Sequence, residues 1–210
     1  KLVEDEVGEI FGVGRTIVRT ALQALSHEGL ITIIRNRGAF VADPGTRESR
    51  EVFEARALLE PRTARSAAER ATPTDLTKLR AHIDAEHRTL SEGDLGQAVY
   101  LSGLFHIEIA KIAAQQTIAA MISSLVSRSS LIVALYWRRP QALCESHAHH
   151  ALIDAIAAHD GTLAEDLMKG HLLDLLSSLD LRDKPKAIGS LRQAMQADHK
   201  SIAIGSSDQI

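Results

Sequence analysis

Apolar residues recur at Val3, Val7, Ile10 and Phe11 with acidic positions between them, and this spacing predicts a short helix that the "GVG" of residues 12–14 ends. The stretch "RTIVRTALQALSHEGL" predicts a second helix with Ile17, Ala21, Leu22 and Leu25 on its buried face. Two β-like runs follow, "LITII" and "AFV", joined by "RNRG", whose Asn and Gly suit a tight turn. The pattern then breaks at "ADPGTRES", where Asp43, Pro44 and Gly45 favour a turn and Pro disfavours helix at the residue before it.

Beyond that break the period is helical. "ESREVFEARALLEPRTARSAAERA" is one helix, "TPTD" supplies a Thr cap with Pro in the first turn, and "LTKLRAHIDAEHRTL" is the next helix, stopped by "SEGD". Further helices are expected over "LGQAVYLSGLFHIEIAKIA" and "TIAAMISSLVSRSSLIVALYW", the latter closed by Pro140. A helix hairpin is expected around His159, Asp160 and Gly161, with Gly161 as the left-handed residue. The expected fold is therefore mainly α: an N-terminal winged helix-turn-helix over 1–42, a linker at 43–46, an all-α antiparallel bundle over 47–181 and a tail at 182–210.

Composition narrows the functional classes. Of 210 residues 45% are hydrophobic and only 3% aromatic, with Leu, Ala and Ile dominant, which favours helix. The single Cys144 excludes an internal disulfide, the first residues lack the pattern of a signal peptide, and no uninterrupted apolar run approaches a membrane span of ~20 residues, so a cytoplasmic protein is expected. A net charge of -3 argues against whole-surface nucleic-acid binding and leaves a local basic patch as the alternative.

Such a patch is present. Arg15 and Arg19, four apart, share the face of the second helix opposite its apolar stripe, near the N-terminal end where a recognition helix meets DNA. Arg35 and Arg37 project from the turn between the two strands. Helix in the major groove and wing along the backbone or minor groove would bring both pairs onto one duplex. From Leu2 to Val41, through "GVGRTIVRTAL", "EGL" and "RGAFV", the chain resembles the GntR family of bacterial winged-helix repressors. The resemblance implies that Arg15, Thr16 and Arg19 contact phosphates and bases, with Arg37 and Gly38 at the wing tip. Gly14 stands where the family usually has Ser, removing a helix cap at a cost of only a few tenths of a kcal/mol for Gly. Ile17 and Thr20 replace the usual Pro and Glu. The family also has a helix before Leu2, so the winged helix is expected to be incomplete here, its first helix absent.

Histidines carry the second chemical signal. His149 is in line with Leu152, Ile153 and Ile156, and His171 with Ala164, Met168 and Leu175, so both face inward. His149 lies eleven residues before Asp160 and His171 eleven after it, at matching heights in an antiparallel hairpin. His106 shares a face with Ile109, Ala110 and Ala113 and is a third inward imidazole, enough for a metal site with an exchangeable position. A lone inward histidine is more often a core residue bonded to a carbonyl, whereas three at compatible depths point to a centre. His147 and His150 read as surface, and His27, His82, His87, His159 and His199 suggest nothing specific.

From Arg47 to Leu181 the chain resembles the FCD ligand-binding domain of the FadR branch of that family, through "EVFEARALLEPRTARSAAERA", "LFHIEIAKIA" and "HHALIDAIAAHDGTLAEDLMKGHL". Many such domains hold Zn or a similar divalent ion, Ni or Mn included, by three His and an Asp four residues before the first. The resemblance implies His106, His149 and His171 as ligands, with Ser102 at the Asp position, a neutral hydroxyl and so a poorer ligand. It also implies a small carboxylate effector, for which Arg56 is a candidate fork, its alternative being an ion pair with Glu60 one turn on. Arg128 is a second candidate, and Cys144 is a small buried or half-buried residue.

The expected function is a ligand-responsive, homodimeric transcriptional regulator, a repressor, binding a pseudo-palindromic operator and no membrane. Two other classes stand beside it. A metal-dependent hydrolase would use the three histidines, but no motif brings Asp154 or Glu108 to them as a general base. A protein-interaction module would suit the negative charge.

Overall fold

The computed structural model describes residues 1–136 and 146–182, and the chain divides into two compact units, the first covering Lys1–Asp43 and the second beginning at Pro44. Trp137, Pro140, Cys144, His199 and nearly all of the expected tail lie outside the described residues.

The first unit consists of α1 (Glu4–Phe11), α2 (Arg15–His27) and an antiparallel hairpin of β1 (Ile31–Ile34) and β2 (Gly38–Val41). Gly12, at φ 64°, stops α1 as the "GVG" suggests. Gly14 begins α2 with no side-chain cap, as its departure from Ser implies. Ile31 pairs with Val41 and Ile34 with Gly38, so Arg35, Asn36 and Arg37 form the turn, with Asn36 at φ 61°. Leu2 bridges to Ala39 beside the hairpin.

The phase of both helices differs from the expected one. Val18, Leu22, Ile31 and Ala39 form the core, with Leu2, Val7, Val13 and Leu25 packed against them. Ile17, 59% exposed, and Ala21 face out, as do Val3 and Phe11. Ile17 and Val18 are adjacent apolar residues, so two stripes one position apart fit the sequence equally. The stripe Val18, Leu22 and Leu25 prevails because it meets the hairpin.

In the second unit α3 (Thr46–Arg70) is the central helix, packed on α5 (Leu95–Ile112), α6 (Gln116–Tyr136), α7 (Ser146–Ala157) and α8 (Gly161–Ser178), while α4 (Pro73–Ser91) covers α5 and α7. The caps follow the sequence. Thr72 and Asp75 form a reciprocal capping box with Pro73 in the first turn, and Asp94 and Asp160 cap α5 and α8. The main core joins Leu79, Ile83, Phe105, Ile109, Ile153, Ile156 and Met168 with small residues of α3. Alanines at 64, 67 and 68 let the flanking helices approach α3 closely.

One expectation is corrected here, and one is qualified. At the α7–α8 hairpin the left-handed residue is His159 (φ 56°), not Gly161. Gly161 instead starts α8 against α3, where a Cβ would come within 2.9 Å of Arg65 Cγ, so close packing and not φ selects glycine. Second, α6 is long and apolar enough to cross a membrane by length and composition, with mean hydropathy 1.8 in its most apolar window, although Arg128 and several serines interrupt it. In the bundle it buries Ile122, Val126, Ser129, Ile132, Val133 and Tyr136.

A buried histidine centre beside a small cavity

Three elements deliver the centre. His106 comes from α5, His149 from α7 and His171 from α8, and all three are buried. One ring nitrogen from each lies within 4.8 Å of the others, and Nε2 of His149 is 3.2 Å from Nε2 of His171. The matched heights follow from the hairpin, and the Phe105 ring, 4.4 Å from His149 between centroids, walls one side. Among the described residues this is the group of ligand-type side chains able to hold a metal ion.

Two buried carboxylates stand behind it. Oε2 of Glu60, on α3, is 2.7 Å from Nδ1 of His106, and Oε2 of Glu86, on α4, is 3.3 Å from Nδ1 of His149. Glu60 also accepts from Arg56 at both oxygens, 2.5 Å from Nε and 3.2 Å from Nη2, while Nη1 of Arg56 donates to Ser129 Oγ at 2.9 Å. Burial opposes the charge on Glu60, but the Arg56 guanidinium and His106 outweigh it and hold the carboxyl down to about 2. Burial pushes His106 down to about 3, against the pull of Glu60 and with the repulsion of Arg56. His106 is thus a neutral imidazole near pH 7, the form that can ligate a metal.

A metal fits these residues. Three imidazoles with clustered nitrogens are a common donor set for borderline divalent ions. Among the described residues neither buried ring nitrogen of His106 makes an aligned hydrogen bond; Nδ1 has the Glu60 carboxylate 2.7 Å away, whereas the Nε2 lone pair is costly to bury unless something occupies it.

A cavity adjoins the centre, lined by Arg56, Ser102, Gly103, His106, Ser129 and Ser130 with an apolar side of Val99, Val133 and Leu175. Its free volume is about 30 Å³, room for roughly two waters at the 10–15 Å³ each requires. Gly103 lets α5 and α6 close over it, since a Cβ there would meet Val126 at 2.8 Å. Arg56 forms the ion pair with Glu60 that is the alternative reading for it, and it also borders the cavity. Arg128 does not line the cavity: it is half-exposed and ion-paired with Glu48 at 2.5 Å, because a helix turns about 100° per residue and α6 presents Ser129 and Ser130 inward instead.

The other histidines stand apart from the centre. His82 and His159 bond the carbonyls of Leu101 and Ala68, His27 and His147 are exposed, and exposed His150 stacks on His87. Asp154 and Glu108, possible hydrolytic bases, pair instead with Arg80 and Lys111. Sequence reasoning missed Glu86, Ser129 and Ser130. Glu86 had a signal, since it continues the buried stripe of Leu79 and Ile83 as an acid on an apolar face.

In the first unit Arg15, Thr16, Arg19, Arg35, Arg37 and Gly38 are all exposed. Arg15 binds Asp5 through two bonds of 2.6 and 2.9 Å, and Arg19 binds Glu4 at 2.8 Å. These pairs are at the surface, where water screens them and each is worth about 1 kcal/mol or less, so phosphates can displace the carboxylates. Arg37 lies over the Phe40 ring, 5.8 Å from its centroid.

Residues 1–41 match the model of the bacterial regulatory proteins of the gntR family, and residues 51–174 match that of the FCD domain. The Uxu operon transcriptional regulator of Escherichia coli K12 is 32% identical over 122 residues, 51% of this chain and 48% of that protein, so the match spans about half of that relative. The galactonate operon transcriptional repressor of the same organism is 28% identical over 192 residues, 77% of this chain and 79% of that one. Among solved structures, E. coli McbR/YncC superposes with TM-score 0.69 at 23% identity, covering 84% of this chain and 86% of that one. A GntR regulator from Rhodococcus sp. RHA1 gives 0.70 at 22%, covering 84% and 85%. The folds agree, and with the family model covering most of the second unit, the chain belongs to the FCD-bearing gntR family of bacterial regulatory proteins, a family of transcriptional regulators and not of enzymes.

Proposed function

We propose that this protein is a cytoplasmic, homodimeric repressor that releases operator DNA when a small organic acid enters its helical unit. The observation that carries the sensing half is the buried centre of His106, His149 and His171, with His106 bordering a largely apolar cavity edged by Arg56 and serine hydroxyls. Residues 1–42 read DNA, 47–181 sense and dimerise, and 43–46 connect them. In the DNA-reading unit Arg15, Thr16 and Arg19 meet phosphates and base edges, while Arg35, Arg37 and Gly38 follow the backbone or minor groove.

The three histidines would hold a divalent ion, Zn above Ni or Mn, which supplies a Lewis-acidic position for a carboxylate oxygen. Arg56 orients the acid, already aimed by Glu60 and Ser129, and the hydroxyls of Ser102, Ser129 and Ser130 exclude purely apolar ligands. At about 30 Å³ the cavity must widen to admit an acid, which moves Val133 on α6 and Leu175 on α8. One turn on, the Tyr136 hydroxyl donates to the Pro44 carbonyl at 2.7 Å, and Asp180 N donates to the Tyr136 carbonyl at 3.0 Å, so widening loads the point where the connection enters the helical unit.

The test has two arms. Selection of duplexes from a random library should yield a pseudo-palindrome, bound by wild type and lost in the Arg15→Ala, Arg19→Ala variant. Thermal unfolding after chelation should rise on adding back Zn, Ni or Mn and rise further with one class of small carboxylic acids. A chain that selects no duplex, or whose arginine variant selects the same one, overturns the DNA reading; a melting temperature deaf to metals and acids overturns the sensing reading.

A further inference from the structure

We infer that Glu60 and Glu86 are positioning residues of the histidine centre, which together supply from behind the ligands the negative charge that Ser102 does not supply among them. The inference rests on the reading that His106, His149 and His171 hold a divalent cation. Three imidazoles bring no charge to a buried dication, and burying an unbalanced charge is costly. Each carboxylate is itself buried and each faces the Nδ1 of a different ligand. A carboxylate at Nδ1 keeps the proton there and so directs the Nε2 lone pair of the same ring toward the centre, while raising its donor strength.

Their two environments differ in a way that assigns the larger part to Glu86. Glu60 shares its charge with Arg56, bound at both oxygens. Glu86 has no Lys or Arg partner among the described residues, and its Oε2, 3.3 Å from His149, makes no aligned hydrogen bond. A buried carboxylate faced by an imidazole and by no Lys or Arg among the described residues is poorly served by the protein alone. A dication on the far side of that imidazole balances it.

The experiment is equilibrium competition for Zn and Ni against a chromogenic chelator, on the full chain and on His149→Ala, Glu86→Gln, Glu60→Gln, and Ser102→Asp combined with Glu86→Gln, with Co absorption spectra of each. Glu86→Gln should weaken binding about 10- to 100-fold, and adding Ser102→Asp should recover about tenfold or more by returning the charge to the ligand sphere. Glu60→Gln strands Arg56, so if that variant fails to fold Glu86→Gln carries the test alone. If wild type and His149→Ala bind metal equally, the metal reading itself fails and takes the inference with it. If metal binding depends on His149 but Glu86→Gln binds as tightly as wild type, only the inference falls. If Glu86→Gln weakens binding and Ser102→Asp restores none of it, Glu86 supports the shape of the site and its role as a charge is overturned.

Discussion

Arg56 is held at three points in the interior, by both oxygens of Glu60 and by Ser129, and removing either charge leaves the other buried without a partner. Breaking such a pair costs about 3–5 kcal/mol, whereas removing both charges costs much less. Arg56→Ala should therefore lower unfolding stability by about 3–5 kcal/mol in urea, and Arg56→Met with Glu60→Gln should lose clearly less than Arg56→Ala alone; equal losses would mean that the pair is not coupled. The same cluster sets an acid limit. His106 binds its proton at 6.5 when unfolded and at about 3 when folded, so as pH falls the unfolded chain takes it up first and stability declines from about 6.5 downward. Glu60, at 4.5 unfolded and about 2 folded, adds a second loss that begins near 4.5. In chelator, urea midpoints of wild type should fall from pH 6.5 to 4.5, and His106→Gln should flatten that interval while keeping the steeper loss below it.

At the scale of elements, Ala114 follows α5 in the left-handed region at φ 57°, a conformation that costs an L-residue about 1–2 kcal/mol and glycine little. Ala114→Gly should raise unfolding stability by ~1 kcal/mol, read as a higher melting temperature, and an unchanged or lower value would show that helix-end strain is not stored there. Such helix ends mark the boundary of what the sequence discloses. Thr72, Pro73 and Asp75 announce their capping box because cap chemistry is local, and Gly12 and Pro44 announce their turns for the same reason. His106, His149 and His171 were legible because helical period and hairpin symmetry fix facing and height. The phase of α2 was not, since Ile17 and Val18 offer equal stripes and only the hairpin packed against them decides. Gly161 misled because its reason is the approach of Arg65 from a distant part of the chain, and Glu86, though marked by its place on an apolar stripe, gives no sign of its partner because His149 sits on another helix.

For the whole molecule, charge and linkage decide what can be measured. Residues 1–43 carry five Lys and Arg against six Asp and Glu, so DNA binding by this unit depends on where its arginines are freed and not on net attraction. Glu4 and Asp5 hold Arg19 and Arg15 in place but also compete with phosphate for them. Arg15→Ala with Arg19→Ala should weaken binding across sequences and reduce the slope of log K against log salt by about 0.9 for each phosphate the variant leaves unneutralised. Glu4→Gln with Asp5→Asn should tighten binding at low salt. A slope unchanged by the arginine pair would remove α2 from the interface.

Coupling between the units must then be reciprocal. If an ion and acid bound in the helical unit weaken operator affinity by some factor, operator DNA must weaken their binding by the same factor, typically about 5- to 150-fold for coupled sites. The path proposed for that coupling is narrow: the Tyr136 hydroxyl donates to the Pro44 carbonyl, Asp180 N donates to the Tyr136 carbonyl, and Thr46 Oγ1 donates to the Leu181 carbonyl at 2.8 Å. Tyr136→Phe removes the hydroxyl that grips Pro44 and leaves the ring that fills the core beside Phe53 and Ile132. Zinc affinity measured by chelator competition, with and without a saturating selected duplex, should differ in wild type and differ less in Tyr136→Phe. Zinc affinity and DNA affinity each measured alone should remain near wild type in that variant, because the hydroxyl it removes bonds the Pro44 carbonyl and is part of neither the histidine centre nor the arginine pair. A variant that keeps the full coupling would mean that the signal leaves the helical unit by another route, and one that loses zinc affinity outright would mean that Tyr136 shapes the centre itself.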